Sequence, residues 1–422
     1  MSDSESSLVT SNSTINSAVS TVAGTVQPGF EAVRFEFERN FTDRGELGAA
    51  FAVYHRGKQV VDLWGGYRDR KRTTPWQADT LTTIFSSTKG VASLTLALAH
   101  SRGLFEWDAP VADYWPEFAQ AGKQDITIRQ VLAHQAGLSA IDEPLTIEIL
   151  ADLDRLAEIL AKQPPAWTPG TRHGYHAISL GFYQSEILRR VDPKHRSLGQ
   201  YFREELAEPL GLDLHIGLPE SFPDSRIATI QQMPLLSMLR LLGKRNTVPV
   251  RMLLGMLNRK SLTSRSFTNP RIKGAADFNR NRALRAVEIP SANGMSDARS
   301  LAKLYGVFAA GGSQIGLRKQ TLDDLMADPI HPSGGLDDLV LRTKTIFSLG
   351  FMKPDHDFDF ASSARGFGTP GAGGSFGFAD PDARLGMGYV MNQMGGYLID
   401  DPREKALRDA AFRAASKLGP GQ

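Results

Sequence analysis

The sequence predicts an α/β chain of the α+β kind: one antiparallel sheet assembled from both chain ends, flanked by helices, with an all-helical lobe inserted between. Three observations predict it. A hairpin-like pattern, GAAFAVYHRGKQVVDLWGGYRD, opens the ordered part; helical periodicity fills the middle; glycine-rich strand-like stretches and one helix close it. Strands, then helices, then strands again is the order expected when a helical segment interrupts a sheet. The α/β lobe is expected over about residues 28–110 and 290–422 and the helical lobe over about 111–289, together forming one domain from 28 to 422. Residues 1–27, rich in Ser, Thr and Val, are read as a disordered tail.

In the hairpin, apolar, β-branched and aromatic residues flank a turn at Arg56-Gly57. FSSTKG comes next and opens a helix to about Arg102, stopped by Gly103. TIRQVLAHQAGL reads as a short helix ending near Gly137, and AISLGFYQSEILRRV and SLGQYFREELAEPLGL as amphipathic helices. SDARSLAKLYGVFAAGG is a helix capped by Ser296 or Asp297. GFGTPGAGGSFGFADP and LGMGYVMNQMG are glycine-rich strands. The last helix, DDPREKALRDAAFRAASKLG, has an Asp cap, Pro402 near its start and Gly419 beyond its end.

Between Arg240 and Arg285 there are twelve Lys/Arg and a single acid, Asp277. The plainer reading of this region, which begins near Met233, is a solvated basic face on helices whose Leu/Met stripe is core. The sharper reading is a lid over a greasy substrate, or a surface that meets anionic lipid.

Composition excludes much. The net charge of +2 gives no footprint for nucleic acid. Cysteine is absent, so disulfides, thiolate metal sites and a cysteine nucleophile are excluded. No basic n-region or apolar h-region marks a secretory signal, and no stretch of about 18 uninterrupted apolar residues suggests a membrane span, so a cytoplasmic protein is expected.

Two motifs mislead. GGSFG, Gly373 to Gly377, fits a nucleophile elbow, but such enzymes order their triad Ser, acid, His. Every histidine here precedes Ser375, so Ser375 is assigned to a glycine-rich strand. The pair His173 and His176 in HGYH lacks a third ligand at a recognisable spacing, so no metal is expected. His134 in LAHQAGL is read as a packed loop histidine.

The candidate chemistry lies at Ser86 and Lys89. Residues three apart on a helix share a face, so the amine reaches the hydroxyl. A serine at a helix start lies beside unpaired backbone N–H groups, which favour an oxyanion formed from an attacked carbonyl. A lysine closed in apolar surroundings loses its charge and becomes a base. The same spacing is met by a serine cap with its lysine in solvent, and it recurs at Ser300/Lys303.

The set DLWGG, FSSTKG, LAHQAGL, WTPGTRHGY followed by HAIS, EPLGLDLHIGLP and FGTPGAGGSFGFADP resembles the serine hydrolases of the class C β-lactamase type and, among them, the family VIII carboxylesterases, over about Phe30 to Leu418. The resemblance implies that family's fold, Ser86 as nucleophile, Lys89 as its partner base, and Tyr175 completing the proton path. It also implies an oxyanion hole from the N–H groups of Ser86 and Gly371, and no cofactor. Two departures from the lactamases bear on substrate. The polar residue two after the tyrosine is replaced by Ala177, and the K-T-G strand by Gly368-Thr369-Pro370, with no lysine. Both anchors of an anionic lactam are thereby lost, so the expected substrate is a small neutral carboxylic ester. Trp64, Tyr67 and Thr369 are the candidate substrate-binding residues, with the Met/Leu region after Met233. The alternatives are a β-lactamase or D-amino-acid peptidase, and a non-catalytic membrane-associated scaffold; membrane association is not favoured.

Overall fold

The computed structural model describes residues 22–418. Eight antiparallel strands form the main sheet, in the order β1-β3-β2-β11-β10-β9-β8-β7. The N-terminal three are β1 (Val22–Val26), β2 (Gly48–His55) and β3 (Lys58–Gly66). Two-residue strands β4 (Thr82–Thr83), β5 (Leu214–His215) and β6 (Met295–Ser296) make a separate small sheet. The C-terminal five are β7 (Phe347–Ser348), β8 (Phe351–Met352), β9 (Phe367–Pro370), β10 (Phe376–Asp380) and β11 (Leu385–Met391). The two chain ends meet in mid-sheet, where β2 pairs with β11 from Ala49↔Met391 to His55↔Leu385. Among the described residues, no strand of this sheet comes from between Gly66 and Phe347, a stretch dominated by helices.

The β2–β3 hairpin turns at Arg56 and Gly57, both at positive φ (54° and 77°), as a tight two-residue turn between twisted strands requires. One expectation is corrected. Part of the supposed tail, Val22–Val26, is strand β1, paired with β3 from Val22↔Gly65 to Val26↔Val61. It alternates between half-buried and exposed positions as an edge strand does, and two Val, one Thr and two small residues gave too short a pattern to read. The remainder of that tail up to residue 21, and the Gly419 helix stop, lie outside the described residues.

Seven helices frame the sheet and the candidate site: α1 (Glu31–Asp43), α2 (Ser87–Ser101), α3 (Ser179–Val191), α4 (Leu235–Leu241), α5 (Val250–Leu257), α6 (Ala298–Ala309) and α7 (Pro402–Lys417). Helix α2 is buried along its whole length, between β9 and β10 on one side and α3 on the other, which is why VASLTLALA is apolar all round. Helix α6 starts at Asp297, whose carboxylate accepts the Ser300 N–H, and packs across β2 and β11. The approach is close enough that a Cβ at Gly386 would lie 2.2 Å from the Gly306 nitrogen, which explains glycine in LGMGYVM. The short helix in TIRQVLAHQAGL ends earlier than expected, at Leu132, because His134 turns the chain at φ 59°.

The basic region departs from the plainer expectation. Between Met233 and Leu257, only Met252 of the described Leu and Met side chains is buried, whereas Met238, Leu239, Leu242, Leu254 and Leu257, with Val250, are exposed. Short helices α4 and α5 cannot bury two opposite apolar faces against one surface.

Candidate active site

Ser86 stands at the head of α2. The residue before it, Phe85, has φ 46°, a left-handed conformation that costs a non-glycine residue on the order of 1 kcal/mol. Its ring is buried edge-on against Phe278, centroids 5.9 Å apart, which offsets that strain and fixes the turn that presents Ser86. No hydrogen bond occupies the Ser86 N–H among the described residues.

The resemblance trio comes together around the Ser86 hydroxyl. Tyr175 Oη donates to Ser86 Oγ at 2.8 Å, and Lys89 Nζ lies 3.3 Å from the same oxygen. Lys89 is wholly buried and faces two backbone carbonyls, Ala177 at 2.7 Å and Ser291 at 2.9 Å, with no carboxylate partner among the described residues. Burial without a counter-charge holds its amine well below the ordinary lysine range. The Tyr175 ring lies 4.7 Å from Nζ and stacks on Phe347. Burial pushes the Tyr175 phenol above its ordinary value, opposed by its bond to Ser86.

Gly90, next to the lysine, is set by space. A Cβ there would fall 1.9 Å from Tyr305 Oη and 2.9 Å from Thr369 Oγ1, so glycine persists where helix propensity favours alanine. Ser375 is not a nucleophile. It is buried and donates to the Ile84 carbonyl at 2.8 Å, tying β10 to the loop before Ser86. In the second S-x-x-K match, Ser300 Oγ accepts the Asp213 N–H and Lys303 donates to the Leu210 carbonyl. His176 donates from Nδ1 to the Gly174 carbonyl and accepts the Leu138 N–H at Nε2, and His173 Nδ1 bonds the Thr345 carbonyl. His134 Nδ1 accepts the His176 N–H, which orients the loop that carries Tyr175. Burial lowers all three imidazoles, His173 to about 4 and His176 to about 3, so they pack as neutral rings.

A cavity of about 480 Å³ opens at Ser86, Lys89 and Tyr175. Thr369 lines it. Its apolar wall includes Val248, Met252, Phe267, Leu341, Phe347 and Leu398. Two expected pocket residues lie elsewhere. Trp64 sits on β3 between β1 and β2 with the Arg299 guanidinium 6.0 Å from its ring, and Tyr67 is held at the strand end by its N–H to Leu47 and its carbonyl to Asn392. DLWGG supplies sheet and turn, because strand register carries these side chains away from the Ser86 end.

A second correction concerns the oxyanion donor. The Gly371 N–H donates to the Ser375 carbonyl at 2.7 Å and is therefore occupied. The next residue, Ala372, lines the cavity, and its N–H makes no hydrogen bond among the described residues. The loop that carries it is clamped by buried Arg403, which donates to the Gly373 carbonyl at 2.7 Å and forms ion pairs with Asp401 (2.9 Å) and Glu46 (3.2 Å). Arg403→Met would leave two buried carboxylates without their cation. It is expected to cost about 3 kcal/mol in a denaturant titration, and to lower kcat for esters through the loosened loop.

Asp338 was not legible as a site residue. Its buried carboxylate accepts the N–H groups of Tyr175 (3.0 Å), Val340 and Leu341 (2.8 Å each), and so fixes the tyrosine backbone. Nothing local in GLDDLV signals this, since the partner is 163 residues away.

Residues 36–412 match the Beta-lactamase family. The chain belongs to the β-lactamase family. Within it, the chain is 36% identical over 383 residues to the esterase/beta-lactamase LipL of Mycobacterium tuberculosis, covering 90% of this chain and 84% of that protein. Among solved structures, a family VIII carboxylesterase superposes with a TM-score of 0.81 at 37% identity, covering 93% of this chain and all of the other. A penicillin-binding-protein homologue from Caulobacter crescentus gives 0.79 at 39% identity over 93% of this chain and 100% of that one. EstA from Arthrobacter nitroguajacolicus gives 0.78 at 30% over 94% and 99%. The expected fold is thus the family's own.

Proposed function

We propose that this β-lactamase-family protein is a carboxylesterase that cleaves small to medium uncharged esters through an acyl-enzyme on Ser86. The observation that carries the reading is the convergence of Lys89 Nζ and Tyr175 Oη on one serine hydroxyl, at 3.3 and 2.8 Å, at the opening of a largely apolar cavity. Relatives named as a family VIII carboxylesterase and as an esterase/beta-lactamase support the same class.

The roles derive from the acceptors. A neutral Lys89 amine gives two N–H bonds to the carbonyls of Ala177 and Ser291, which leaves its lone pair for the Ser86 proton. Ser86 Oγ, still accepting from Tyr175, attacks the ester carbonyl as Lys89 takes its proton. The N–H groups of Ser86 and Ala372 hold the resulting oxyanion. Tyr175, whose phenol burial keeps protonated, gives its proton to the departing alkoxide and is re-protonated from Lys89. Water then attacks the acyl-enzyme with the same pair as base, and Ser86 is released with the acid.

The linkage gives a pH profile. Lys89 is active as the free amine and its value is depressed, so kcat/KM rises with pH through that depressed value and levels off well below the ordinary 10.5. The raised phenol extends the plateau on the alkaline side. A rate still climbing through pH 10.5 would exclude the buried amine as base.

Labelling by a fluorophosphonate, mapped by peptide mass to Ser86, tests the nucleophile. Parallel rates on p-nitrophenyl butyrate and nitrocefin test the bond. Turnover of the ester is expected to exceed that of the lactam, because Ala177 stands where a lactam's amide would be held and Gly368-Thr369-Pro370 supplies no lysine for its carboxylate; among the described residues, the cations lining the cavity besides Lys89 are the exposed Arg245 and Lys344. Those two cations are the observation that favours a second reading, lactam or amide hydrolysis, and nitrocefin turnover above ester turnover would select it.

A further inference from the structure

We propose that the α4–α5 face is a docking surface for an anionic lipid bilayer, set at the mouth of the Ser86 cavity. Of the eight exposed large apolar side chains among the described residues, six (Met238, Leu239, Leu242, Val250, Leu254, Leu257) fall in this one segment; the others, Phe35 and Ile330, stand singly. Isolated exposed apolar residues are ordinary, but a cluster marks a contact surface. Helix α5 shows the arrangement most clearly. Met252 is buried in the cavity wall, while Val250, Leu254 and Leu257, spaced four and three apart, share the outward face. Leu257 is 81% exposed.

Charge selects the occupant. No acid occurs between Asp224 and Asp277, and Arg240, Lys244, Arg245, Arg251, Arg259 and Lys260 are all exposed around the leucines. Only Arg245 has an ion pair among the described residues, with Asp357 at 3.4 Å. Leucines ringed by cations, five of the six without an ion pair among the described residues, match a surface that offers acyl chains beneath phosphates. A second copy of the chain would bring like charges face to face. The segment running into α5 from Arg245 to Pro249 also lines the cavity, so the bilayer would lie against its entrance. Two acids from the segment before β9 line the same cavity: Asp355, and Asp357, which pairs with Arg245.

Sedimentation of the full chain with vesicles tests the binding and does not depend on ester turnover. Vesicles of phosphatidylcholine containing phosphatidylglycerol are expected to pull the protein down, pure phosphatidylcholine to do so at least about tenfold less, and added salt to weaken the binding. Leu254→Asp/Leu257→Asp is expected to lower partitioning by about tenfold or more, with melting temperature and p-nitrophenyl butyrate turnover unchanged. If that variant does not fold, Arg259→Glu/Lys260→Glu reads the charge half alone, and weaker binding to the phosphatidylglycerol vesicles supports the proposal. Absence of binding to anionic vesicles, equal binding to both kinds, or full retention by either folded variant overturns it. So does a dimer in size exclusion that the aspartate pair dissociates, which would give the face to a second copy.

Discussion

Ser86→Ala is expected to reduce ester kcat by about 10⁴-fold or more, the scale seen when a serine nucleophile acting as one unit with its base is removed. The alanine keeps the head of α2, the turn at Phe85 and the free N–H, so substrate binding and the melting temperature should change little. Ser86 contributes no cap hydrogen bond to α2, hence no helix stability is lost with its hydroxyl. The measurement is kcat and KM on p-nitrophenyl butyrate beside a thermal melt. A variant that retained a tenth of the rate would remove Ser86 from the chemistry, whatever the cavity looks like.

Lys89→Met is expected to lower kcat/KM by about 10³-fold, the middle of the range for a lost general base. Its effect on stability is the more telling half. The methionine fills similar volume but leaves the carbonyls of Ala177 and Ser291 unpaired, at about 1–3 kcal/mol for such a loss. Against that, the native lysine enters the fold with a depressed value, so below 10.5 the unfolded chain binds the extra proton. The native state is penalised by this over the whole window from that depressed value to 10.5, and the penalty shrinks as pH rises. Methionine carries no such penalty. The melting temperature near neutrality should therefore move little in either direction while activity falls. The variant's stability should also depend less steeply on pH between neutrality and pH 10 than the parent's. A collapse of stability in parallel with activity would indicate that Lys89 serves packing rather than proton transfer.

What could be read in advance was local. The Arg56-Gly57 hairpin, the helix opened by FSSTKG and stopped at Gly103, and the Asp297 and Asp401 caps each depend on neighbours a few residues away. The trio of Ser86, Lys89 and Tyr175 was found through motif resemblance, because the Tyr175 loop meets α2 only in three dimensions. What escaped was register and partnership. Trp64 and Tyr67 lie close in sequence to a motif, but their place in the sheet decides which space they face. The proposed oxyanion donor is Ala372 rather than the expected Gly371, because Gly371 spends its N–H on Ser375. The leucines of α5 looked like core because apolar spacing alone does not say whether a second surface exists to cover them. Asp338 and the carbonyls of Ala177 and Ser291 act through backbone bonds that no side-chain pattern records.

The placement of β2 against β11 has a consequence for biosynthesis. While the ribosome is still making the helical segment, the emerging hairpin has one long edge with no neighbour, and its partner has not yet been translated. Sheet closure waits for nearly the whole polypeptide, so the early strands need shielding by a chaperone or by the tunnel-proximal helices, and a product terminated before Leu385 keeps an open, adhesive edge in place of a central seam.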